Sequence, residues 1–126
     1  MAYLIDLKTF ADNRGVLTVI DHILPFNISR VYYIQGVNEA EHRGGHRHFI
    51  CREAVVSIQG SFVAHVINTK GSFTYLIENA DNCLIIEPGD WHEFYNFTPN
   101  TVLLGLSSTA YDKGDYSKEP LPLELK

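Results

Sequence analysis

The chain has 126 residues, of which 45% are hydrophobic and 20% charged, with a formal net charge of −5. That is the size of one domain with enough apolar side chains for a real core. There is no basic stripe of the kind that holds nucleic acid. No apolar run approaches the roughly 20 residues that span a bilayer. The first residues, Met1 to Asp6, lack the long apolar stretch of a secretory leader, so a soluble cytoplasmic protein is expected. Cys51 and Cys83 each sit in an apolar run and read as buried free thiols, not as a disulfide framework.

Along the chain, short strand patterns alternate with turns, and helical periodicity is almost absent. Asp12-Asn13-Arg14-Gly15 makes a turn and leads into a strand at 17–20. Residues 28–34 are rich in β-branched and aromatic side chains and form the next strand. In Arg43-Gly44-Gly45-His46-Arg47-His48 the two imidazoles stand at i and i+2, so a strand there points both to one face. Residues 53–59 alternate and stop at Gly60. Residues 61–68 alternate again, with Phe62, Ala64 and Val66 on one side and Val63, His65 and Ile67 on the other. A turn at 69–72 returns the chain through 73–77. An apolar run at 83–86 ends at Pro88-Gly89-Asp90, and 101–107 forms the last strand. From Tyr111 the tail turns polar and then Pro-rich, so it is expected to lie outside or fray, with a short helix near 111–116. Strands at spacings of about 8 to 12 residues predict an all-β sandwich or barrel, a single domain over 1–126.

Two spacings carry chemistry. His46-x-His48, four residues, Glu53, six residues, Gly60 is one; Gly89, two residues, His92, three residues, Asn96 is the other. Together they resemble the paired motifs of the cupins, with small departures in the placement of glycine and proline. That resemblance implies a cupin-type jelly-roll β-barrel whose interior has room for one ligand. In metal-binding cupins the matching positions are His46, His48, Glu53 and His92. Three imidazoles and a carboxylate suit Fe, Mn, Ni or Zn, so a metal-dependent small cupin enzyme is one reading.

A closer resemblance covers nearly the whole chain. Asp12-x-Arg14-Gly15-x-Leu17, Pro25-Phe26-x-Ile28-x-Arg30-Val31-Tyr32-Tyr33-Ile34, Arg43-Gly44-x-His46-x-His48, Gly60-Ser61, Trp91-His92-Glu93 and Tyr111-x-x-x-Asp115-Tyr116 are similar to the dTDP-sugar 3,4-ketoisomerases. The resemblance implies an isomerase acting on dTDP-4-keto-6-deoxyglucose without a cofactor. Its 3-keto product is later aminated and acylated for surface polysaccharide. It also implies a homodimer that exchanges N-terminal strands. The chain departs from the family pattern at Arg47, Phe49, Glu53 and Ser117-Lys118. Glu53, where the family commonly has glutamine, restores a metal-ligating carboxylate. A non-catalytic module that binds sugar nucleotides is the third reading.

Moving a ketone from C4 to C3 removes a proton from C3 and delivers one to C4 through an enediol. That needs a base, a proton donor and hydrogen bonds to the developing oxyanion. His46 is the expected base, and His48 the second choice or an orienting acid. Tyr32 supplies a hydroxyl for proton movement between oxygens. Arg30 shares strand parity with Tyr32 and faces the same interior. A diphosphate calls for arginines, and Arg14, Arg30, Arg43, Arg47 and Arg52 all flank the region. Trp91, Tyr95 and Phe97 are candidates for the thymine. By resemblance, Arg14 and Tyr95 lie near the sugar. His22, His42 and His65 belong to no motif.

Overall fold

The computed structural model describes residues 1–124. Twelve strands follow in order: β1 (Tyr3–Asp6), β2 (Lys8–Asp12), β3 (Gly15–Val19), β4 (Arg30–Gln35), β5 (Arg43–His48), β6 (Glu53–Gln59), β7 (Phe62–Asn68), β8 (Gly71–Ile77), β9 (Asn82–Ile86), β10 (Trp91–Tyr95), β11 (Val102–Ser107) and β12 (Tyr116–Ser117). They build two five-stranded sheets, ordered β1-β9-β6-β11-β4 and β12-β5-β10-β7-β8, with the β2–β3 hairpin as a separate pair. All pairings are antiparallel. The architecture is an all-β, cupin-type jelly roll. No α-helix forms among the described residues, and none is long and apolar enough to cross a membrane.

Alternation in the sequence sets which side chains fill the core. Val55, Phe62, Ala64, Val66, Ile77, Leu84, Ile86, Phe94, Phe97 and Leu103 meet as one buried cluster drawn from both sheets. Strand β9 is buried on both faces. Leu84 and Ile86 join that core, while Cys83 and Ile85 join a second cluster with Ala54, Val56 and Leu106, flanked by Ile20, Ile23, Leu24 and Phe26. Burial on both faces is why 83–86 reads as a continuous apolar run without alternation. Cys51 and Cys83 are buried free thiols, as expected.

The structure corrects several sequence readings. Strands at 3–6, 8–12 and 91–95 carry too few β-branched residues to stand out, and tertiary pairing makes them. The 69–72 turn is tighter than expected, because Asn68 already pairs with Gly71 and the loop is Thr69-Lys70 alone. The tail does not stay outside. A single 3₁₀ turn (Lys113–Asp115) leads into β12, which pairs Tyr116 with His48 and Ser117 with Arg47 along the edge of β5. Asp115 is only 6% exposed.

Two glycine positions shape the interior. Gly44 and Gly45 have φ of 85° and 80°, and the register between β5 and β10 slips there. The slip is a bulge that pairs His46 opposite His92, and a side chain at Gly44 would press on the His92 carbonyl at 3.0 Å. Gly105 lies across from Tyr32 in the β11–β4 ladder, and its missing Cβ leaves the space that the Tyr32 ring fills. Gly105→Ala is therefore expected to expel the Tyr32 ring and cost about 1–3 kcal/mol through overpacking. An unchanged urea midpoint would argue against this placement of Tyr32.

Candidate active site

Strand alternation brings the suspected side chains to one cavity. Arg30, Tyr32 and Ile34 come inward from β4, His46 from β5, Glu53 from β6, His92 and Phe94 from β10 and Tyr116 from β12; Arg43, Gly44 and Tyr33, the last from the opposite parity of β4, complete the lining. The cavity volume is about 330 Å³, within the range of small-ligand sites. Tyr33 and Val31 point the other way and are 66% and 58% exposed, as strand parity requires. A larger groove of about 640 Å³ runs along Ile20 to Ile28, but it gathers none of the chemistry-bearing residues.

At the bottom of the cavity lies a buried carboxylate, Glu53, 4% exposed. Its Oε1 lies 3.6 Å from His48 Nε2, and its Oε2 lies 3.6 Å from His92 Nε2. Ser107 Oγ donates to Oε1 at 3.2 Å, the Tyr32 hydroxyl makes a long bond to it at 3.4 Å, and the Arg30 guanidinium stands 3.8 Å away. The far nitrogens of both imidazoles are already engaged. His92 Nδ1 donates to the Asp90 carbonyl at 2.9 Å, and His48 Nδ1 donates to Asp115 Oδ2 at 3.2 Å. Both Nε2 atoms therefore aim at Glu53. His46 sits in front of this cluster, its ring centroid 5.1 Å from that of His48, 4.9 Å from His92 and 4.7 Å from Tyr116.

The electrostatics divide the labour. Burial first, then the charges of His92 and His48, lower the His46 pKa to about 4, so it is a free base at neutral pH. Burial alone would raise the Glu53 pKa, but His92, His48 and His46 outweigh it and hold the carboxyl at about 2. Glu53 is thus a permanent anion between imidazoles. Burial and the neighbouring Glu53 raise the Tyr32 pKa well above 10, so its hydroxyl remains a donor. Burial would lower the Arg30 pKa, but the Tyr116 hydroxyl and Glu53 overcome it and keep the guanidinium charged. Arg30 Nε and His48 Nε2 are buried polar atoms without a hydrogen-bond partner among the described residues. Such atoms are rare in folded proteins, and both lie at the site where a ligand's oxygens would enter.

Other residues singled out from sequence lie elsewhere. Trp91 and Tyr95 are on the opposite face of β10 from His92; Trp91 Nε1 donates to the Lys118 carbonyl, and Tyr95 stacks on His42 at 4.9 Å. Within one chain neither lines the cavity. Phe97 is buried in the core against Phe62, so it offers no face to a nucleobase. Arg47 lies over Phe49 and donates to the Glu119 carbonyl, and Arg52 reaches the Pro25 carbonyl and Glu87. Arg14 sits on the β2–β3 hairpin, 86% exposed and paired with Asp12. Three residues that sequence reasoning gave no role complete the site: Ser107, Asp115 and Tyr116. Only the Tyr111-x-x-x-Asp115-Tyr116 pattern pointed to the last two.

His46, His48 and His92 can bring one ring nitrogen each within 4.8 Å of one another. With Glu53 beside them, and with His48 and His92 each tied through the far nitrogen to an oxygen acceptor, the donor set fits a divalent cation.

A jelly roll whose interior joins a histidine triad to a buried carboxylate is a cupin-type protein. The comparisons narrow this. The family model described as "FdtA: WxcM-like, C-terminal" matches residues 2–121, and the chain belongs to that family. It is 34% identical to a TDP-4-oxo-6-deoxy-alpha-D-glucose-3,4-oxoisomerase of Aneurinibacillus thermoaerophilus, over 91% of this chain and 84% of that protein. It is similar, at TM-score 0.91 and 32% identity, to a variant of the QdtA 3,4-ketoisomerase of Thermoanaerobacterium thermosaccharolyticum in complex with TDP-4-keto-6-deoxyglucose, covering 94% and 87% of the two chains. It is also similar to the WlaRB TDP-quinovose 3,4-ketoisomerase of Campylobacter jejuni, at TM-score 0.89 and 29% identity, covering 94% and 92%.

The lowered His46 pKa has a consequence for stability. An unfolded histidine titrates near 6.5, and the folded His46 near 4. Between those values the unfolded state binds more protons, so stability rises with pH. The contribution is complete above about pH 6.5 and is lost as the pH falls towards 4. The thermal midpoint should drop over that range in the wild type and drop less in His46→Asn. Equal slopes in the two proteins would reject the shift.

Proposed function

We propose that this protein is a sugar-nucleotide 3,4-ketoisomerase that converts a dTDP-linked 4-keto-6-deoxyhexose to its 3-keto isomer. The observation that carries the reading is a neutral imidazole, His46, facing a cavity that also holds a protonated phenol and a half-buried guanidinium. The family membership and the names of the relatives support it. His46 takes the C3 proton. The Tyr32 hydroxyl and the Arg30 guanidinium stabilise charge on the enediol oxygens, and Tyr32 is placed to pass a proton between them. Burial first, and then the neighbouring His92 and His48, keep His46 unprotonated. His48 is the second proton carrier. Arg43, which lines the same cavity, is the arginine for the diphosphate.

His46→Asn should lower kcat by at least about 10²-fold while sparing dTDP affinity. The direct test is incubation with dTDP-4-keto-6-deoxyglucose in deuterated water, read by NMR of the product. Deuterium at C3 or C4 is expected. Binding without exchange would make the protein a sugar-nucleotide-binding module instead.

A second reading rests on the three-histidine cluster with Glu53. There His46, His48, Glu53 and His92 would hold a divalent metal, which would supply a Lewis acid to a substrate oxygen. Metal analysis of protein purified without chelator separates the two. Stoichiometric metal, with activity lost on its removal, would replace the metal-free reading.

A homodimer is part of the proposal. Phe10, Val16 and Leu17 on the β2–β3 hairpin are 59%, 69% and 62% exposed, and Arg14 on the same hairpin lies away from its own cavity. A second copy would cover that apolar hairpin, and exchanged hairpins would bring Arg14 to the neighbouring cavity. Sedimentation of a dimer at micromolar concentration is expected, and a monomer would overturn it.

A further inference from the structure

We infer that Asp115 is a positioning residue, which fixes the tautomer and ring orientation of His48 so that Nε2 faces the reaction cavity. This rests on the isomerase reading for its catalytic consequence, but not for its geometry.

Asp115 arrives from the tail, far in sequence from His48, and is almost fully buried beside it. Its carboxylate accepts four N–H bonds. Oδ1 accepts from the backbone of Ile50 at 2.8 Å and of Phe49 at 3.2 Å. Oδ2 accepts from the backbone of Cys51 at 3.1 Å and from His48 Nδ1 at 3.2 Å. Three consecutive backbone donors of a tight turn form a concave anion site. They hold Asp115 ionised, against the opposing effect of its burial. The carboxylate cannot rotate without leaving a buried N–H unpaired.

An ionised carboxylate only accepts hydrogen bonds, so the His48 nitrogen facing it must carry the proton. Nε2 is then the nitrogen turned inward, 3.6 Å from Glu53 and without a hydrogen-bond partner among the described residues. The next residue, Tyr116, closes the clamp with its ring centroid 4.5 Å from that of His48. The tail thus sets both the nitrogen that faces the cluster and the angle of the ring. Sγ of Cys51 also lies near, and one ligand atom each from His48, Cys51 and Asp115 fall within 4.8 Å. The Asp115 oxygens are already used by N–H donors, so these three side chains make an orienting device and not a second metal centre.

A purely structural role, tying the tail to the turn at 49–51, would leave the His48 tautomer and kcat untouched. The test is therefore ¹⁵N NMR of histidine-labelled protein, with His48 assigned through His48→Gln. In the wild type His48 Nδ1 should carry a proton. In Asp115→Asn one oxygen becomes an NH₂ donor, so His48 should shift towards the Nε2–H form. Then kcat should fall by at least about 10-fold, with KM within about 3-fold, as for other residues that orient a histidine. Asp115→Glu should recover part of both. A wild-type His48 whose Nδ1 lacks a proton, or full kcat in a folded Asp115→Asn, overturns the inference. Should Asp115→Asn fail to fold, the wild-type spectrum still decides the tautomer. Absence of turnover in the wild type would defeat the isomerase reading alone, and the His48 spectrum would stand as a separate result.

Discussion

The buried carboxylate of Glu53 is the constraint on which the interior depends. A lone carboxylate in an apolar barrel is costly enough that it would take a proton instead. Here the influence of His92, His48 and His46 outweighs burial and lowers its pKa, and Ser107 and Tyr32 donate to one of its oxygens. Those partners come from several strands. The same buried setting gives His46 its chemistry, since burial first, and then the neighbouring His92 and His48, keep the front imidazole unprotonated. Removing one member of such a group leaves the others uncompensated, so the site and the local fold stand together.

Backbone geometry serves that cluster. The glycine pair at 44–45 bulges β5 so that His46 meets His92 across the ladder while His48 stays on the same face. Gly105 gives up a side chain so that Tyr32 can lie over β11. The tail then adds β12 to the open edge of β5, which satisfies an exposed strand and carries Asp115 and Tyr116 to the histidines. The outward faces remain different in kind. Glu93 sits between His42 and His65 on the outside of the second sheet, and the β2–β3 hairpin carries exposed apolar residues away from the body.

Much of this was legible before any coordinates. Alternation at 61–68 puts Phe62, Ala64 and Val66 on one side and Val63, His65 and Ile67 on the other, and the structure buries the first set. Parity in 30–34 separates Arg30 and Tyr32 from Val31 and Tyr33. The i, i+2 histidines do share a face. The same parity argument would have set Trp91 and Tyr95 apart from His92, had residues 91–95 been read as a strand. Phe97 was misread because an aromatic residue near a motif looks the same whether it fills the core or faces a ligand.

The sequence by itself determined the all-β class, the two alternating sets within the strands it marked and the membership of the histidine–carboxylate cluster. These depend on residue type and on a two-residue period, which are local. Only the tertiary structure decided that Asp115 and Tyr116 belong to the site, that Arg14 lies apart from its own chain's cavity, and which nitrogen of His48 faces inward. Those follow from contacts between segments far apart in the chain, here 67 residues between His48 and Asp115, which no local pattern encodes.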